Sequence, residues 1–365
     1  MTHPPSRLLT RLDDAIAKAG DSPEGDCLRA ERAIYLARLG RIEDARRIVE
    51  GLKITRQRRL SFLVSGWTTL ADAIVEYFAD ASLGARDKLL RAQALAASAG
   101  LGELGSLCSA WLSQLDFSGL RLREMDKNLR RALSEAPGYR ASRGRAHLVV
   151  AQALHFGRRF DLARNFYTSA RQDAIDDGDE LATGAIIYNM AWHWLLELRQ
   201  SVLRDGVEGE ERLLFLNEQS MRSHDEFLGV SAFGELQPML RAEALSLTGR
   251  PEEALSLYKD ALDSIKLGAI GRWRGHFLAD YAWCKARVGD TEGAVETAAA
   301  SIEAIDDQLQ LDDLAAAHSS LALLYESLGD PSRANFYREH AASAWSAIEQ
   351  LQSEAVSLLL DLRPT

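Results

Sequence analysis

Hydrophobic residues recur at helical spacing along most of the chain, and short polar turns that contain glycine separate the apolar stretches. Three segments show this most clearly: LTGRPEEALSLYKDAL (247–262), RVGDTEGAVETAAASI (287–302) and SLGDPSRANFYREHAA (327–342). In each, one helix ends at a glycine and a second helix with an early alanine follows. Only 8 prolines interrupt 365 residues, and Ala, Leu, Arg and Glu, which favour helices, predominate. The pattern predicts an all-α protein.

The turns are evenly spaced, which predicts a repeated structural unit. The glycines and the alanines after them both recur every 40 residues: Gly249, Gly289 and Gly329, then Ala254, Ala294 and Ala334. Weaker copies supply Gly40, Ala45, Ala85, Gly157 and Ala163. A column of small residues lies twelve positions before the post-turn alanine: Ala33, Ala73, Ser113, Ala151, Ala191, Ala242, Ala282 and Ala322. Small side chains let paired helices approach closely, so eight antiparallel helix pairs are expected.

The domain boundaries follow from this column. We predict a repeat array over residues 24–350, with an insertion near 197–211 because the interval from Ala191 to Ala242 is 51 residues. Residues 1–23 form an N-terminal capping helix in this interpretation, since a solenoid must shield its terminal apolar face. Its apolar positions are Leu8, Leu9, Leu12 and Ile16.

Helix–turn–helix units with this turn resemble the tetratricopeptide repeat (TPR) superfamily. The resemblance covers residues 24–350, is sharpest at 236–342, and rests on the small residue, the turn glycine and the second-helix alanine. The period of about 40 differs from the usual 34 and is similar to divergent bacterial repeats. The early first-helix aromatic of the family is mostly replaced, for example by Thr69, Ser109 and Pro238. The resemblance implies a right-handed α-solenoid, a TPR-like superhelix with capping helices, which binds a peptide, protein or small ligand.

Candidate binding residues follow from the same resemblance, which implies that the first helix of each pair lines a concave groove. The stripe beside the small-residue column gathers aromatic and amide side chains in the middle pairs. Rings stack on a ligand and amides bond to peptide backbone. The predicted groove residues are Gln114, Phe117, Gln152, His155, Tyr188, Asn189, Trp192, Met239, Glu243 and Trp283. Asn189 matches the helix-borne asparagine that peptide-binding relatives use. Packing between helices is the alternative role for each residue.

The last helix carries a heptad-like seam. No Gly or Pro occurs from 332 to 363, and apolar residues alternate at spacings of three and four. Two interpretations stay open for the extension 351–365: a cap over the last repeat, or a seam that pairs with a partner or a second copy. The dimerisation residues would be Ile348, Leu351, Ala355, Leu358 and Leu362.

Charge divides the chain unevenly. The net charge is −10, yet residues 1–172 hold 28 Lys and Arg against 19 Asp and Glu, whereas residues 173–365 hold 15 against 34. A basic half can steer a charged partner or contact nucleic acid. No strand-borne aromatic platform accompanies the arginines, so solvated helix faces are the favoured interpretation and nucleic acid is disfavoured.

Motifs for catalysis, metals and cofactors are missing from the sequence. The three cysteines are widely spaced, and His147 and His155 stand about 12 Å apart along a helix. Neither a GxSxG elbow nor a P-loop occurs. We therefore expect no enzyme activity, no metal and no cofactor. A cytoplasmic location is expected, because no signal peptide or membrane-length apolar run is found. The expected function is a regulatory adaptor for a protein or peptide. The alternatives are a sensor arm for a small ligand and a nucleic-acid-binding repeat protein.

Overall fold

The fold was analysed on a computed structural model that describes residues 6–58, 61–80, 84–207, 237–264, 273–306 and 309–364. Within these ranges the chain forms sixteen α-helices and no β-strand, which confirms the all-α class. The helices are α1 (Arg7–Ala19), α2 (Pro23–Arg38), α3 (Ile42–Arg58), α4 (Phe62–Asp80), α5 (Ala85–Ser98), α6 (Gly102–Ser118), α7 (Leu122–Glu135), α8 (Arg140–Phe156), α9 (Phe160–Asp177), α10 (Glu180–Arg199), α11 (Gln237–Leu247), α12 (Pro251–Ser264), α13 (Arg274–Arg287), α14 (Thr291–Ala304), α15 (Leu311–Ser327) and α16 (Pro331–Leu359).

The described residues divide into two compact units. Unit 1 contains residues 6–189 and 354–364, and unit 2 contains residues 190–353, each with the gaps given above. In unit 1 the pairs α2–α3, α4–α5, α6–α7 and α8–α9 pack together. The first helix of each pair also contacts the first helix of the next pair, from α2 to α4, α6 and α8. In unit 2 the pairs α11–α12 and α13–α14 follow the same rule, and α11, α13 and α15 are successive first helices. This packing is consistent with a helical repeat.

The two predicted columns of small residues lie in the interior. Every member of the first-helix column is at most 7% exposed, from Ala33 to Ala322. The post-turn alanines are buried as well: Ala45, Ala85, Ala163, Ala254, Ala294 and Ala334. Met125 occupies the equivalent post-turn position of the third pair and is buried. The small side chains therefore stand where helices cross closely.

Six turns between the two helices of a pair share one hydrogen-bond pattern. One residue has a positive φ, and the next residue donates its N–H to the carbonyl five positions earlier at 2.8–3.0 Å. This 6→1 bond closes the helix in a Schellman motif. The residues with positive φ are Gly40, Leu120, Arg158, Gly249, Gly289 and Gly329. The sequence placed a turn glycine at Gly157, but Gly157 has φ −73° and Arg158 takes the left-handed conformation.

Helix α10 continues beyond its α-helical part. A π-helical turn spans Gln200–Arg204 directly after Arg199, so the predicted insertion near 197–211 is helical up to Arg204. Residues 208–211 of that insertion lie outside the described residues. The final helix, α16, has 29 residues and continues without a break, as the absence of Gly and Pro predicts.

Candidate functional site

The ten predicted groove residues separate into buried and partly exposed groups. Six of them are at most 9% exposed: Gln114, Phe117, Gln152, His155, Met239 and Glu243. Four keep part of their surface in solvent: Tyr188, Asn189, Trp192 and Trp283. The buried members pack between helices, the alternative role for this stripe, whereas the partly exposed members are three aromatic residues and one amide.

In the middle of unit 1, facing side chains of α6 and α8 bind each other. The amides of Gln114 and Gln152 exchange two hydrogen bonds of 3.3 Å each. The ring of Phe117 packs edge-on against Phe156, with 6.0 Å between ring centroids. Since these amides are already satisfied, they contribute to cohesion between the third and fourth pairs in this conformation.

His155, Tyr188 and Asn189 lie further along unit 1. His155 Nδ1 is 3.3 Å from the Tyr167 hydroxyl, and burial lowers the pKa of His155 to about 4. Asn189 Nδ2 donates to the carbonyl of Ala185 in its own helix at 2.6 Å. A peptide ligand would have to compete with that local bond, while the Tyr188 ring keeps an accessible surface.

Glu243 belongs to a buried charge network inside unit 2. The Arg199 guanidinium donates to Glu243 Oε2 at 2.8 Å and to Asp313 Oδ1 at 3.0 Å. His276 Nε2 is 3.0 Å from Glu243 Oε1. Burial alone would raise the pKa of Glu243, but the charges of Arg199 and His276 hold it at about 2. The sequence did not predict Arg199, Asp313 and His276 as partners of Glu243, because the three residues lie on different helices.

Two partly exposed tryptophans of unit 2, Trp192 and Trp283, each lie beside an arginine. The Arg199 guanidinium carbon is 5.7 Å from the centroid of the Trp192 ring. The Arg287 guanidinium carbon is 4.8 Å from the centroid of Trp283. Such cation–π contacts hold a ring in place, so both indoles present fixed apolar surface.

The predicted dimerisation seam is partly occupied within the chain itself. Ile348 in unit 2 and Ala355 in unit 1 are buried, whereas Leu351, Leu358 and Leu362 are half-buried. Pairing with a second copy stays a prediction.

The end of α16 is anchored on α7 inside unit 1. The Arg130 guanidinium donates to both carboxylate oxygens of Asp361 at 2.8 Å. It also donates to the Leu358 carbonyl at 2.9 Å, and Arg123 pairs with Glu354 at 3.0 Å.

Carboxylates pair with most of the arginines that make the first half of the chain basic. Arg41 pairs with Asp44, Arg46 with Glu43, and Arg131 with Glu135. Further pairs join Arg121 to Asp116 and Arg143 to Asp173. Local neutralisation weakens the phosphate contacts on which nucleic-acid binding depends.

Unit 1 closes on itself through contacts between its first helices and the start of α10. Arg38 of α2 donates two hydrogen bonds to Asp179, at 2.7 and 3.0 Å. The Ser6 hydroxyl, at the N-cap of α1, donates to Glu180 at 3.0 Å. Arg11 of α1 binds the Asp177 carbonyl at 2.9 Å. Helices that are more than 140 residues apart in sequence therefore enclose an inner space.

This inner space is a cavity of about 70 Å³ that adjoins a cleft of about 290 Å³. Glu31, Tyr139, Ala141 and Asp177 line both spaces. The α2 residues Glu31, Tyr35 and Arg38 share one helix face because they are four and three positions apart. From α8, Ala141, Arg145 and Leu148 face the cavity at the same spacing, and Trp111 of α6 completes its wall.

Arg145 and Glu31, two partly exposed side chains of this cavity, have no counter-ion bound to them among the described residues. The Arg145 guanidinium carbon lies 3.7 Å from the Trp111 ring centroid. Burial, helped by the nearby charge of Arg38, lowers the pKa of Arg145 to about 9. Across the cavity, burial and the charge of Asp177 raise the pKa of Glu31 to about 7. Within the part of the chain that the structure describes, neither side chain has an ion pair. Strongly perturbed groups in a cavity identify a candidate ligand site.

No His, Cys, Asp or Glu cluster among the described residues could hold a metal ion. In the same ranges, no helix combines the length and apolar character needed to span a membrane. The chain matches no protein-family model and no curated protein.

Proposed function

We propose that the protein is a non-enzymatic helical-repeat scaffold that binds a protein or peptide partner on the face formed by its first helices. One observation carries this proposal: the partly exposed members of the predicted stripe are Tyr188 and Asn189 in unit 1, and Trp192 and Trp283 in unit 2. Rigid aromatic rings supply large contact area for little conformational entropy, and they are common anchors at protein interfaces.

The repeat interpretation has separate support from the shared turn geometry and the buried small-residue columns. We propose eight pairs in a right-handed solenoid of the TPR-like type, with α1 as the N-terminal cap. Residues 208–236, which follow the first helix of the fifth predicted pair, lie outside the described residues. A scaffold of this kind acts by presenting a surface, so it needs no catalytic constellation.

A peptide-library selection against the full chain tests this function. Once peptides are selected, their affinities are measured for wild type, Tyr188→Ala, Trp283→Ala and the control Phe336→Ala. Phe336 is 53% exposed on the second helix α16. We expect each first-helix variant to bind at least one peptide class about tenfold more weakly, since a hot-spot truncation costs about 1–2 kcal/mol. Loss on Phe336→Ala, with both other variants unchanged, would reject the first-helix face.

A second candidate function, the sensing of a small polar ligand, is favoured by the cavity of unit 1. Arg145 and Glu31 face one space that α1 and α2 help to close. A library peptide is too large for the cavity alone, whereas a small molecule fits the cavity together with its cleft. The two functions are compatible, because a ligand bound at the closing contacts can change the surface that a partner meets.

A further inference from the structure

We propose that the cavity and cleft of unit 1 bind a small dipolar ligand, with an anionic group on Arg145 and a cationic group, several bonds away, on Glu31. A free basic amino acid such as L-arginine is the simplest molecule of this class. The inference rests on the small-ligand function proposed for this cavity, and it names the chemistry that the cavity recognises.

Three arginines line the cavity: Arg38, Arg140 and Arg145. The anionic end is assigned to Arg145, since Arg140 is exposed and Arg38 is already paired. Arg38 is held by two hydrogen bonds to Asp179, and Arg143, beside the cavity on α8, is bound to Asp173. Arg145 instead lies against the Trp111 ring, and no carboxylate of the described residues is within ion-pair distance of it. Arg145 is partly buried, and a charge that is partly removed from solvent without a partner is unfavourable. A ligand carboxylate would accept two parallel hydrogen bonds from the guanidinium and compensate its burial.

The cationic end is assigned from the acidic cleft. Four carboxylates line the cleft: Glu24, Glu31, Glu103 and Asp177. Arg11 forms an ion pair with Asp177. The Glu31 carboxyl accepts no hydrogen bond from the described residues, although it is largely removed from solvent. Mutual repulsion of neighbouring carboxylates would be relieved by a bound cation. A guanidinium is suited to this position because it donates several hydrogen bonds in one plane.

A ligand that binds both charged side chains needs an anionic and a cationic group on separate atoms, because the two side chains form no ion pair with each other. Glu31 projects from α2 and Arg145 from α8, and they line one cavity without touching each other. Leu8, Ile34 and Leu107 lie along the same cavity, where they can pack against methylene groups.

Calorimetric titration of the full chain with three matched compounds tests the inference. L-Arginine carries both charges, agmatine lacks the carboxylate, and L-citrulline lacks the side-chain cation. We expect L-arginine to bind at least tenfold more tightly than either analogue at pH 7.5. The fluorescence of Trp111 should change in the same titration, because the bound carboxylate draws the Arg145 guanidinium from the ring.

Variants separate recognition from structure. We expect Arg145→Gln and Glu31→Gln each to weaken L-arginine binding about tenfold, while Arg145→Lys keeps part of it. The control Arg164→Gln, an exposed arginine on α9, should bind as wild type does. Circular dichroism and thermal unfolding establish that each variant folds. If Arg145→Gln does not fold, the Arg145→Lys and Glu31→Gln variants and the analogue series decide the matter.

Several outcomes would overturn the proposal: no binding of L-arginine, equal binding of agmatine or citrulline, or unchanged binding by folded Arg145→Gln. These failures remain distinguishable from failure of the scaffold function. Peptide selection and the Tyr188→Ala and Trp283→Ala variants do not depend on the cavity ligand.

Discussion

At the scale of single residues, the turn inside a helix pair requires one residue with a positive φ. Four of the six turns described meet it with glycine, at φ values between 72° and 90°. In the other two turns a residue with a side chain takes this conformation: Leu120 at φ 55° and Arg158 at φ 58°. The left-handed conformation costs an L-residue about 1–2 kcal/mol. These two turns are consequently strained where the other four are not.

Arg158→Gly should stabilise unit 1. Arg158 is exposed, so its removal loses little packing, and glycine relieves the strain at φ 58°. Allowing for the greater freedom of glycine in the unfolded chain, we expect the free energy of unfolding to rise by about 0.5–1 kcal/mol. Urea denaturation measures this change.

The matched control for this turn is Gly289→Ala. A Cβ at Gly289 meets no atom within 4 Å, so only its φ of 90° opposes the substitution. This variant should lose about 1 kcal/mol. A lower unfolding midpoint for Arg158→Gly would contradict the strain argument.

Glu31 gives unit 1 a pH-dependent stability. Burial, then the charge of Asp177, raises its pKa from 4.5 to about 7, opposed by Arg11 and assisted by Asp179 and Glu103. The folded state therefore binds more protons than the unfolded chain between these values. For this group, the free energy of unfolding falls as the pH rises from about 4.5 to 7. Above pH 7 Glu31 is ionised in the folded state as well, and its full unfavourable contribution to the free energy of unfolding is present.

The Glu31→Gln variant tests whether ionisation of Glu31 lowers the free energy of unfolding. We expect it to be more stable than wild type at pH 8, by on the order of 1–2 kcal/mol after solvent screening. The difference should vanish at pH 4.5. An exposed glutamate on α7, Glu124, provides the control, since Glu124→Gln should change stability equally at both values. If the difference in unfolding free energy between Glu31→Gln and wild type does not depend on pH, ionisation of Glu31 does not destabilise unit 1. Urea denaturation at each pH supplies the measurement.

At the scale of elements, α10 ends in the buried Arg199 and passes directly into a π-helical turn. The sequence predicted the interior helix columns because size and periodicity are local properties. It assigned Glu243 to a groove surface for the same reason: the helical register places Glu243 beside the small-residue column. The register does not show that Arg199 and Asp313, 44 and 70 positions away from Glu243, provide its partners.

Arg199→Ala should strongly destabilise unit 2. The substitution leaves Asp313 buried without its ion-pair partner and Glu243 with His276 alone. Loss of one partner of a buried pair costs about 3–5 kcal/mol. Arg204 pairs with Glu349 nearer the surface, so Arg204→Ala should cost less than about 1 kcal/mol. Thermal unfolding compares the two. Similar losses would mean that the network contributes no more than a surface ion pair.

The distal part of α16 gives a test of dimerisation. Because Ile348 and Ala355 are buried within the chain, we expect light scattering at micromolar concentration to give one 40.3 kDa chain per particle. A particle of twice that mass that returns to one chain on Leu351→Glu would establish the seam instead. Leu351 is half-buried, so part of its side chain is accessible to a second copy.

At the scale of the whole molecule, the sequence predicted the helix pairs, their turns and the small-residue columns. It did not predict the cavity of unit 1. That cavity depends on contacts such as Arg38 with Asp179 and Ser6 with Glu180, which join residues 141 and 174 positions apart. Repeat spacing describes neighbouring pairs only, so the closing of α1 and α2 against α10 has no periodic signature. Four predicted groove residues remain partly exposed, while the others serve packing.

Hydrogen–deuterium exchange of the full chain, with and without a peptide selected from the library, tests whether partners bind the first-helix face. We expect slower exchange in first helices, such as α8 and α10 in unit 1 or α13 in unit 2. Exchange in the second helices α7, α9, α12 and α14 should stay unchanged. Protection confined to those second helices would contradict the claim that partners bind the first-helix face.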